Sequence, residues 1–340
     1  MGKIVTLYNN KGGVSKTTTL FNLGCYLATT GKKTLIIDCD PQCNATELFY
    51  SSTDLLDDFG HELPGTSIYQ AFLPRFRGEA ARVDVTSIDL IESVRYSNLF
   101  LLRGDLDWAQ AESYFANAWN LAITEDLHSK NTYLSPFRLF HDLLRHYDFD
   151  YILCDVGPSA GHLTRMIVLA CDNLLLPLIP DRFSNQAITV LGKILVDWVN
   201  RHKVISDSSE PFGMERYEGN PAFCGAIIQN FKIYRSQSTR AYAAWQDAIK
   251  STLKTHIIER VEIRKSEKFD ANNPFIANIR DFAAMAPVAQ AFGKAMFDIS
   301  KEDTKYASGD GLAYSGAVWS GWINRQMEYR SEIKKVAEAI

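Results

Sequence analysis

The sequence predicts an α/β fold: a doubly wound, mainly parallel sheet flanked by helices, followed by a C-terminal helical tail. Short apolar runs, typical of buried strands, alternate with longer helical patterns along most of the chain. The first 37 residues show strand, loop, helix and strand in the order of a βαβ unit. Hydrophobic residues make up 46% of the chain and charged residues 22%, which is typical of a globular protein.

The first βαβ unit can be justified element by element. Residues 3–8 form a short apolar run that indicates a buried strand, and a glycine-containing turn follows. Residues 17–29 carry leucines at helical spacing, and Gly31 is placed to end that helix. Residues 34–37 are the second strand.

Further strands and helices continue the alternation. The later apolar runs predict strands at 99–102, 151–154, 174–176 and 223–228. Helical patterns lie at 136–146, 160–170, 185–201 and 237–253.

Three segments between the predicted helices and strands have the composition of connections. Residues 50–95 are polar, acidic and interrupted by proline and glycine, which predicts an elaborated connection outside the core. Residues 204–221 are rich in serine, glycine and proline and predict a surface loop. Residues 301–318 are typical of a linker and precede a helical tail from about 319 to 340. We therefore expect one large domain over 1–300 and an extension over 301–340.

Composition and charge exclude several classes of protein. The formal net charge is −4, which argues against a general polyanion binder. No apolar run is long enough to span a membrane, and no secretory signal is evident. The six cysteines are scattered, which favours a reduced, cytoplasmic protein. The charge is uneven, because residues 231–280 hold ten basic and five acidic side chains.

The strongest chemical signal lies between the first strand and the first helix. Glycines there let backbone N–H groups turn toward phosphates, a lysine neutralises phosphate oxygens and a hydroxyl ligates Mg²⁺. The strict G-x-x-x-x-G-K-[ST] pattern is not met, since Asn10 and Ser15 occupy its glycine positions. The residues of this phosphate loop are Lys11, Gly12, Gly13, Val14, Ser15, Lys16, Thr17 and Thr18.

Carboxylates follow two other predicted strands. Asp38 and Asp40 come directly after the second strand, in the run Asp38-Cys39-Asp40-Pro41-Gln42. Asp155 follows the strand at 151–154, as a Walker B carboxylate does. Since ligands of open α/β folds bind at the carboxyl ends of the strands, these groups are placed to act on a bound polyphosphate.

These motifs resemble the ParA family of deviant Walker A ATPases, which includes MinD-like proteins, and imply the sheet of a P-loop NTPase. By this resemblance Lys11 is the lysine that reaches across an ATP sandwich dimer, and Lys16 is the P-loop lysine. Thr17, Asp40 and Asp155 correspond to magnesium-site residues, and Asp40 is also the carboxylate needed for hydrolysis.

The resemblance covers about residues 1–300 and is tightest in 1–48 and 147–195. Asn230 resembles the polar residue beside the adenine of ATP. Two departures stand out: Ser15 replaces the family's usual glycine before the lysine, and Gly157 stands where a proline is usual.

The resemblance implies an ATP-driven, slowly hydrolysing homodimer that binds DNA non-specifically, positions DNA or another cargo, and is stimulated by a ParB-like partner. It implies ATP and Mg²⁺ as ligands and a cytoplasmic, nucleoid-associated location. The expected DNA-binding residues are Arg235, Arg240, Lys250, Lys254, Arg264 and Lys265.

Two alternatives remain open at this point. A MinD-like protein would bind membranes through the tail, which carries Trp319 and Trp322 but also mixed charges. An iron–sulfur reductase on the same fold would need paired cysteine ligands, and no C-x-x-C pair is present.

Overall fold

The computed structural model describes residues 2–51, 63–231, 233–234, 237–238, 240–282 and 284–340, with only the backbone described between 230 and 241. Within these residues, eight strands form one sheet in the order β10-β7-β6-β1-β5-β2-β4-β3. All pairs of neighbouring strands in this sheet are parallel, except that β3 is antiparallel to β4. The strands are β1 Lys3–Leu7, β2 Thr34–Asp38, β3 Ile91–Glu92, β4 Leu99–Leu102, β5 Tyr151–Asp155, β6 Asn173–Leu178, β7 Ala222–Phe231, β8 Ile233–Tyr234, β9 Gln237–Ser238 and β10 Phe275–Arg280, with β8 and β9 forming a separate hairpin.

Helices cover both faces of the sheet, because side chains of the central strands alternate between two cores. In β2, Leu35 and Ile37 face one core and Ile36 faces the other. The helices are α1 Lys16–Thr29, α2 Asn44–Tyr50, α3 Ile68–Phe76, α4 Ala111–Leu121, α5 Leu127–Tyr147, α6 His162–Ala170, α7 Arg182–Ser209, α8 Arg240–Leu253, α9 Met285–Ala291 and α10 Gly316–Ala339. The predicted doubly wound fold is confirmed.

The position of β1 decides where the site lies. β1 is paired with β5 on one side and β6 on the other, so the strand order reverses around it. In such sheets the crevice at the carboxyl end of the central strands is the ligand site. β2 and β5 are paired in a register that sets Asp38 opposite Asp155, which brings two of the predicted carboxylates to this crevice.

The predicted connection at 50–95 is partly wrong, because it contains a core helix. α3 begins after Ser67, whose side chain accepts the N–H of Gln70 while Gln70 accepts the N–H of Ser67. Phe72 and Phe76 of α3 are buried, and their ring centres lie 5.1 and 6.1 Å from that of Trp108. Residues 52–62 lie outside the described residues.

The loop predicted from 204 starts later than expected, since α7 continues to Ser209. Serine composition suggested a loop, but the Ser209 hydroxyl donates to the carbonyl of Ile205 at 2.8 Å and is buried. Such a bond lets serine remain inside a helix.

The C-terminal helix α10 packs on α1 and β10. Trp322, Tyr329, Ile333 and Val336 are buried in the same core as α1. Lys268 donates to the carbonyl oxygens of Glu338 and Ile340, at 3.1 and 2.7 Å, at the end of this helix. Among the described helices, none combines the length and the apolar character that crossing a bilayer requires.

Candidate functional site

The phosphate loop joins β1 to α1 at the centre of the sheet. Gly13 and Ser15 both adopt left-handed backbone conformations, with φ of 70° and 57°. Serine reaches this region at a cost of about 1 kcal/mol relative to glycine, so Ser15 preserves the turn that a glycine would make. The loop backbone and the start of α1 thus have the shape that phosphate binding requires, despite the departure from the strict pattern.

Lys16 lies folded over this loop. Its side chain is buried, and its ammonium group contacts the carbonyl oxygens of Asn9 and Lys11 at 3.4 Å. Burial lowers the pKa of Lys16, and the nearby carboxylates of Asp155 and Asp40 oppose that shift. Long contacts to neutral carbonyls leave the ammonium group able to exchange them for phosphate oxygens.

Lys11 is held within its own protomer. Its Nζ atom lies 2.6 Å from Asp181 Oδ2 and 3.4 Å from Ser184 Oγ, and 5.7 Å from the centre of the exposed Phe183 ring. Asp181 also accepts the N–H of Ser184 at 2.7 Å and so caps α7. Burial raises the pKa of Asp181, but the bonds from Lys11 and Ser184 outweigh it and the net shift is downward.

Asn9 is a residue that sequence reasoning missed. Its side chain donates to the carbonyl of Pro177 at 2.8 Å and accepts the N–H of Lys11 at 3.0 Å. It therefore ties the start of the phosphate loop to the end of β6. Asn9 could have been identified from the sequence, because it lies at the end of a predicted strand and directly before the phosphate loop.

Thr17 and Asp155 form the pair expected at a magnesium site. The Thr17 hydroxyl donates to Asp155 Oδ2 at 2.8 Å. Asp155 is fully buried, and among the described residues its Oδ1 atom has no hydrogen-bond partner. Burial, then the charge of Asp38, raise the pKa of Asp155. A buried carboxylate oxygen without a donor, beside a hydroxyl, fits Mg²⁺, which binds few protein oxygens together with substrate phosphates.

Asp40 lies on the loop after β2 and is almost fully buried. Its Oδ1 accepts the N–H of Gln42 at 3.0 Å. A Cβ atom on Gly157 would lie 3.2 Å from that same oxygen, so the loop after Asp155 passes directly against the Asp40 carboxylate. The structure therefore brings Asp40, Lys16, Thr17 and Asp155 to one crevice.

Asp38 anchors this loop, a role that the sequence did not reveal. Its side chain accepts the N–H and hydroxyl of Thr46 at 2.8 and 2.7 Å, and the N–H of Asp40 at 3.3 Å. Burial raises the pKa of Asp38 to about 6, against the lowering effect of these bonds. The Thr46 hydroxyl in turn accepts the N–H of Gly104, which connects the Asp40 loop to the end of β4.

These elements enclose a cavity of about 920 Å³. Its walls are the phosphate loop from Gly12 to Thr18, the Asp40 loop, residues 157–159 and the start of α6. Glu112 of α4 and Gln290 of α9 also line it. A cavity of this size accommodates a nucleotide.

The structure describes the side chains of only some of the expected DNA-binding residues. Arg235 lies outside the described residues, as do the side chains of Asn230 and Arg240. Lys250 and Lys254 are exposed, and Lys254 lies 3.8 Å from Glu259. Arg264 donates to the carbonyl of Asp172 at 3.1 Å, and Lys265 donates to that of Arg260.

The cysteines take no part in a metal site in the described chain. All six are free thiols. The described residues contain no group of three or more His, Cys, Asp or Glu side chains placed to hold a metal ion.

Relatives of known sequence share the region that holds the site. Soj of Bacillus subtilis, a sporulation initiation inhibitor, is 30% identical over 191 residues, which are 56% of this chain and 64% of that protein. The chromosome partitioning protein ParA of Myxococcus xanthus is 31% identical over 193 residues, 56% of this chain and 57% of that protein. The chain thus spans less than two thirds of these relatives.

Solved structures share the fold. McdA of Cyanothece in complex with ATP gives a TM-score of 0.59 at 18% identity, over 98% of this chain and 96% of that one. MinD of Pyrococcus horikoshii with Mg-ADP gives 0.54 at 15% identity, over 99% and 95%.

A family model supplies the classification. Residues 2–204 match AAA_31, described as an AAA domain, and they include the phosphate loop, Asp40 and Asp155. The chain therefore belongs to the AAA_31 family, with the ParA- and Soj-type partition ATPases as its relatives.

Proposed function

We propose that the protein is an ATP-dependent, dimerising partition-type ATPase that binds DNA non-specifically and positions DNA or another cargo. The observation that carries this proposal is the unpartnered Asp155 oxygen beside Thr17, which lines a cavity together with Lys16 and Asp40. A ParB-like partner stimulates its slow hydrolysis, and the protein works in the cytoplasm on nucleoid DNA.

The residues divide the chemistry as follows. The backbone of the phosphate loop and Lys16 bind the phosphates of ATP, and Thr17 and Asp155 hold Mg²⁺, which neutralises phosphate charge when bound. Asp40 orients the attacking water by accepting a hydrogen bond from it. Asn230 is proposed to lie beside the adenine.

Lys11 links the proposed chemistry to dimerisation. In a face-to-face dimer its ammonium group stabilises negative charge on the partner's ATP. Within one protomer that group is already paired with Asp181, so the intramolecular pair must open first. The pair therefore opposes dimerisation by the free energy needed to separate it.

Replacing Asp181 with asparagine tests this link. Asparagine still caps α7 but removes the charge that holds Lys11, and we expect ATP-dependent dimerisation to tighten by about two- to fivefold, the worth of a partly exposed ion pair. Light scattering after size exclusion with ATP measures the dimer. Asp207→Asn is the matched control, because Asp207 pairs with Arg216 near the other end of α7. Unchanged or weaker dimerisation by Asp181→Asn contradicts the proposal.

DNA binding is tested with the exposed lysines of α8 and the turn after it. We expect Lys250→Gln with Lys254→Gln to weaken binding of duplex DNA and to reduce the salt slope of log Kd by about 2, one unit for each phosphate contact. Fluorescence anisotropy in ATP, together with ATP turnover with and without DNA, measures the effect. Lys334→Gln with Lys335→Gln, exposed on α10, is the control. Wild-type protein that binds no DNA at low salt rules out this part of the proposal.

The membrane alternative receives no support from the tail. A MinD-like interaction needs an apolar helix face that is free to enter a bilayer. Among the apolar residues of α10, Trp322, Ile333 and Val336 are buried against α1 and β10, and Ile323 and Met327 are exposed. The burial of this face favours a structural role for α10.

A further inference from the structure

The loop after Asp155, residues 156–161, contacts both the Asp40 loop and the cavity beside the phosphate loop. Gly157 lies against Asp40, and Pro158 and Ser159 line the cavity beside the phosphate loop. Tyr8 donates to the carbonyl of Ser159 at 3.0 Å. Since this loop packs on the carboxylate proposed to orient water, its position affects the geometry of hydrolysis.

Glu112 of α4 holds the far end of this loop. Its Oε1 accepts the backbone N–H of His162 at 2.7 Å, and its Oε2 accepts that of Leu163 at 2.8 Å. The Nδ1 atom of His162 lies 3.1 Å from Oε1. Both donors belong to the first turn of α6, so one carboxylate fixes the start of that helix.

The approach of Glu112 depends on a glycine. A Cβ atom on Gly161 would lie 2.9 Å from both carboxylate oxygens, which is too close for an atom to occupy. Gly161 has φ of −67°, a conformation that alanine also adopts. The backbone at 161 therefore tolerates alanine, but its methyl group would displace the flexible Glu112 carboxylate from its present position.

The chain segment that leads into α4 also holds the Asp40 loop. The indole nitrogen of Trp108 donates to the carbonyl of Cys39 at 3.1 Å, and Trp108 is fully buried. Residues 108–112 therefore contact both the loop that carries Asp40 and the loop that follows Asp155.

We propose that Glu112 is a positioning residue for ATP hydrolysis, which sets the distance between the loop at 156–161 and Asp40 through its bonds to the start of α6. This inference rests on the proposed ATPase function. Glu112 lines the edge of the cavity, but in this role it acts through its bonds to the start of α6 and not on the reacting atoms. Its effect falls on the rate of hydrolysis and not on nucleotide binding.

Glu112→Ala is the first test, measured as kcat and KM for ATP, ADP affinity and Tm. We expect kcat to fall about tenfold, because a small displacement of a catalytic loop costs that much, while ADP affinity stays within about twofold. Loss of the carboxylate that caps α6 costs about 1 kcal/mol, so we expect Tm to fall by about 2 °C while the variant stays folded at the assay temperature. Glu125→Ala, an exposed carboxylate just beyond α4, is the control and retains full kcat.

Gly161→Ala makes the test specific. A methyl group there pushes the Glu112 carboxylate away, and we expect a similar loss of kcat. In the double variant Gly161→Ala with Glu112→Ala the clash is gone, so the methyl group adds no further loss. Additive losses in the double variant would mean that the methyl group acts on the loop independently of Glu112, while a merely structural role would lower Tm without lowering kcat.

The outcomes separate this inference from the proposed function. Absence of ATP turnover in the wild-type protein refutes the proposed ATPase function and the inference with it. Normal wild-type turnover with unchanged kcat in Glu112→Ala overturns the inference alone. A variant that loses ADP affinity in proportion to kcat also overturns it, since Glu112 then acts on binding.

Discussion

Asp40→Ala is expected to bind ATP and to form the dimer but to hydrolyse ATP about 10²- to 10⁴-fold more slowly, the usual worth of a group that orients and polarises the nucleophile. Asp40 lies in the phosphate cavity but does not belong to the phosphate loop, so its removal leaves the binding contacts in place. The variant should accumulate as an ATP-bound dimer. Single-turnover hydrolysis and light scattering in ATP measure both effects.

The matched control for Asp40 is Asp310→Ala. Asp310 is exposed, and its carboxylate accepts the N–H of Leu312, two residues on, as Asp40 accepts that of Gln42. Both substitutions therefore remove the same local turn contact, and only one removes a carboxylate from the cavity. Wild-type turnover by Asp40→Ala contradicts the assignment of this residue.

Lys16→Ala is expected to weaken ATP and ADP binding by about 100-fold, because charge-assisted bonds to phosphate contribute roughly 2–3 kcal/mol. ATP turnover at moderate ATP concentrations falls together with this affinity. The variant still folds, since removal of the ammonium group also removes the cost of burying it, which the lowered pKa of Lys16 reflects. Calorimetric titration with ADP measures the affinity, and circular dichroism measures folding.

Lys32→Ala serves as the control for Lys16. Lys32 is exposed and lies 3.3 Å from Asp150, away from the cavity. Equal nucleotide affinity in Lys16→Ala and Lys32→Ala means that the loop does not bind phosphates as proposed.

Much of the fold could be predicted because its signals are local. The strand, turn and helix of the first βαβ unit follow one another within 37 residues, and each has its own pattern of apolar residues or glycine. The parallel arrangement then places Asp38 and Asp155 side by side without any knowledge of side-chain contacts. The phosphate loop, Asp40 and Asp155 could therefore be predicted from the sequence.

The parts that could not be predicted depend on contacts between distant residues. Lys11 and Asp181 are 170 positions apart, and the bond from Trp108 to Cys39 spans 69. Composition also misled in α3 and in the last turns of α7, where polar or proline-containing sequence is helical because capping and buried contacts outweigh propensity. Such tertiary effects leave no periodic pattern in the sequence.

The central position of β1 bears on how quickly the proposed ATPase can exchange its nucleotide. β1 is buried between β5 and β6, and core strands of this kind are generally the most stable part of a domain. Loops generally move on shorter times than those of unfolding and without disrupting the sheet. For the proposed ATPase, exchange of the nucleotide therefore depends on the loops that line the cavity, which can change during evolution while the sheet stays the same.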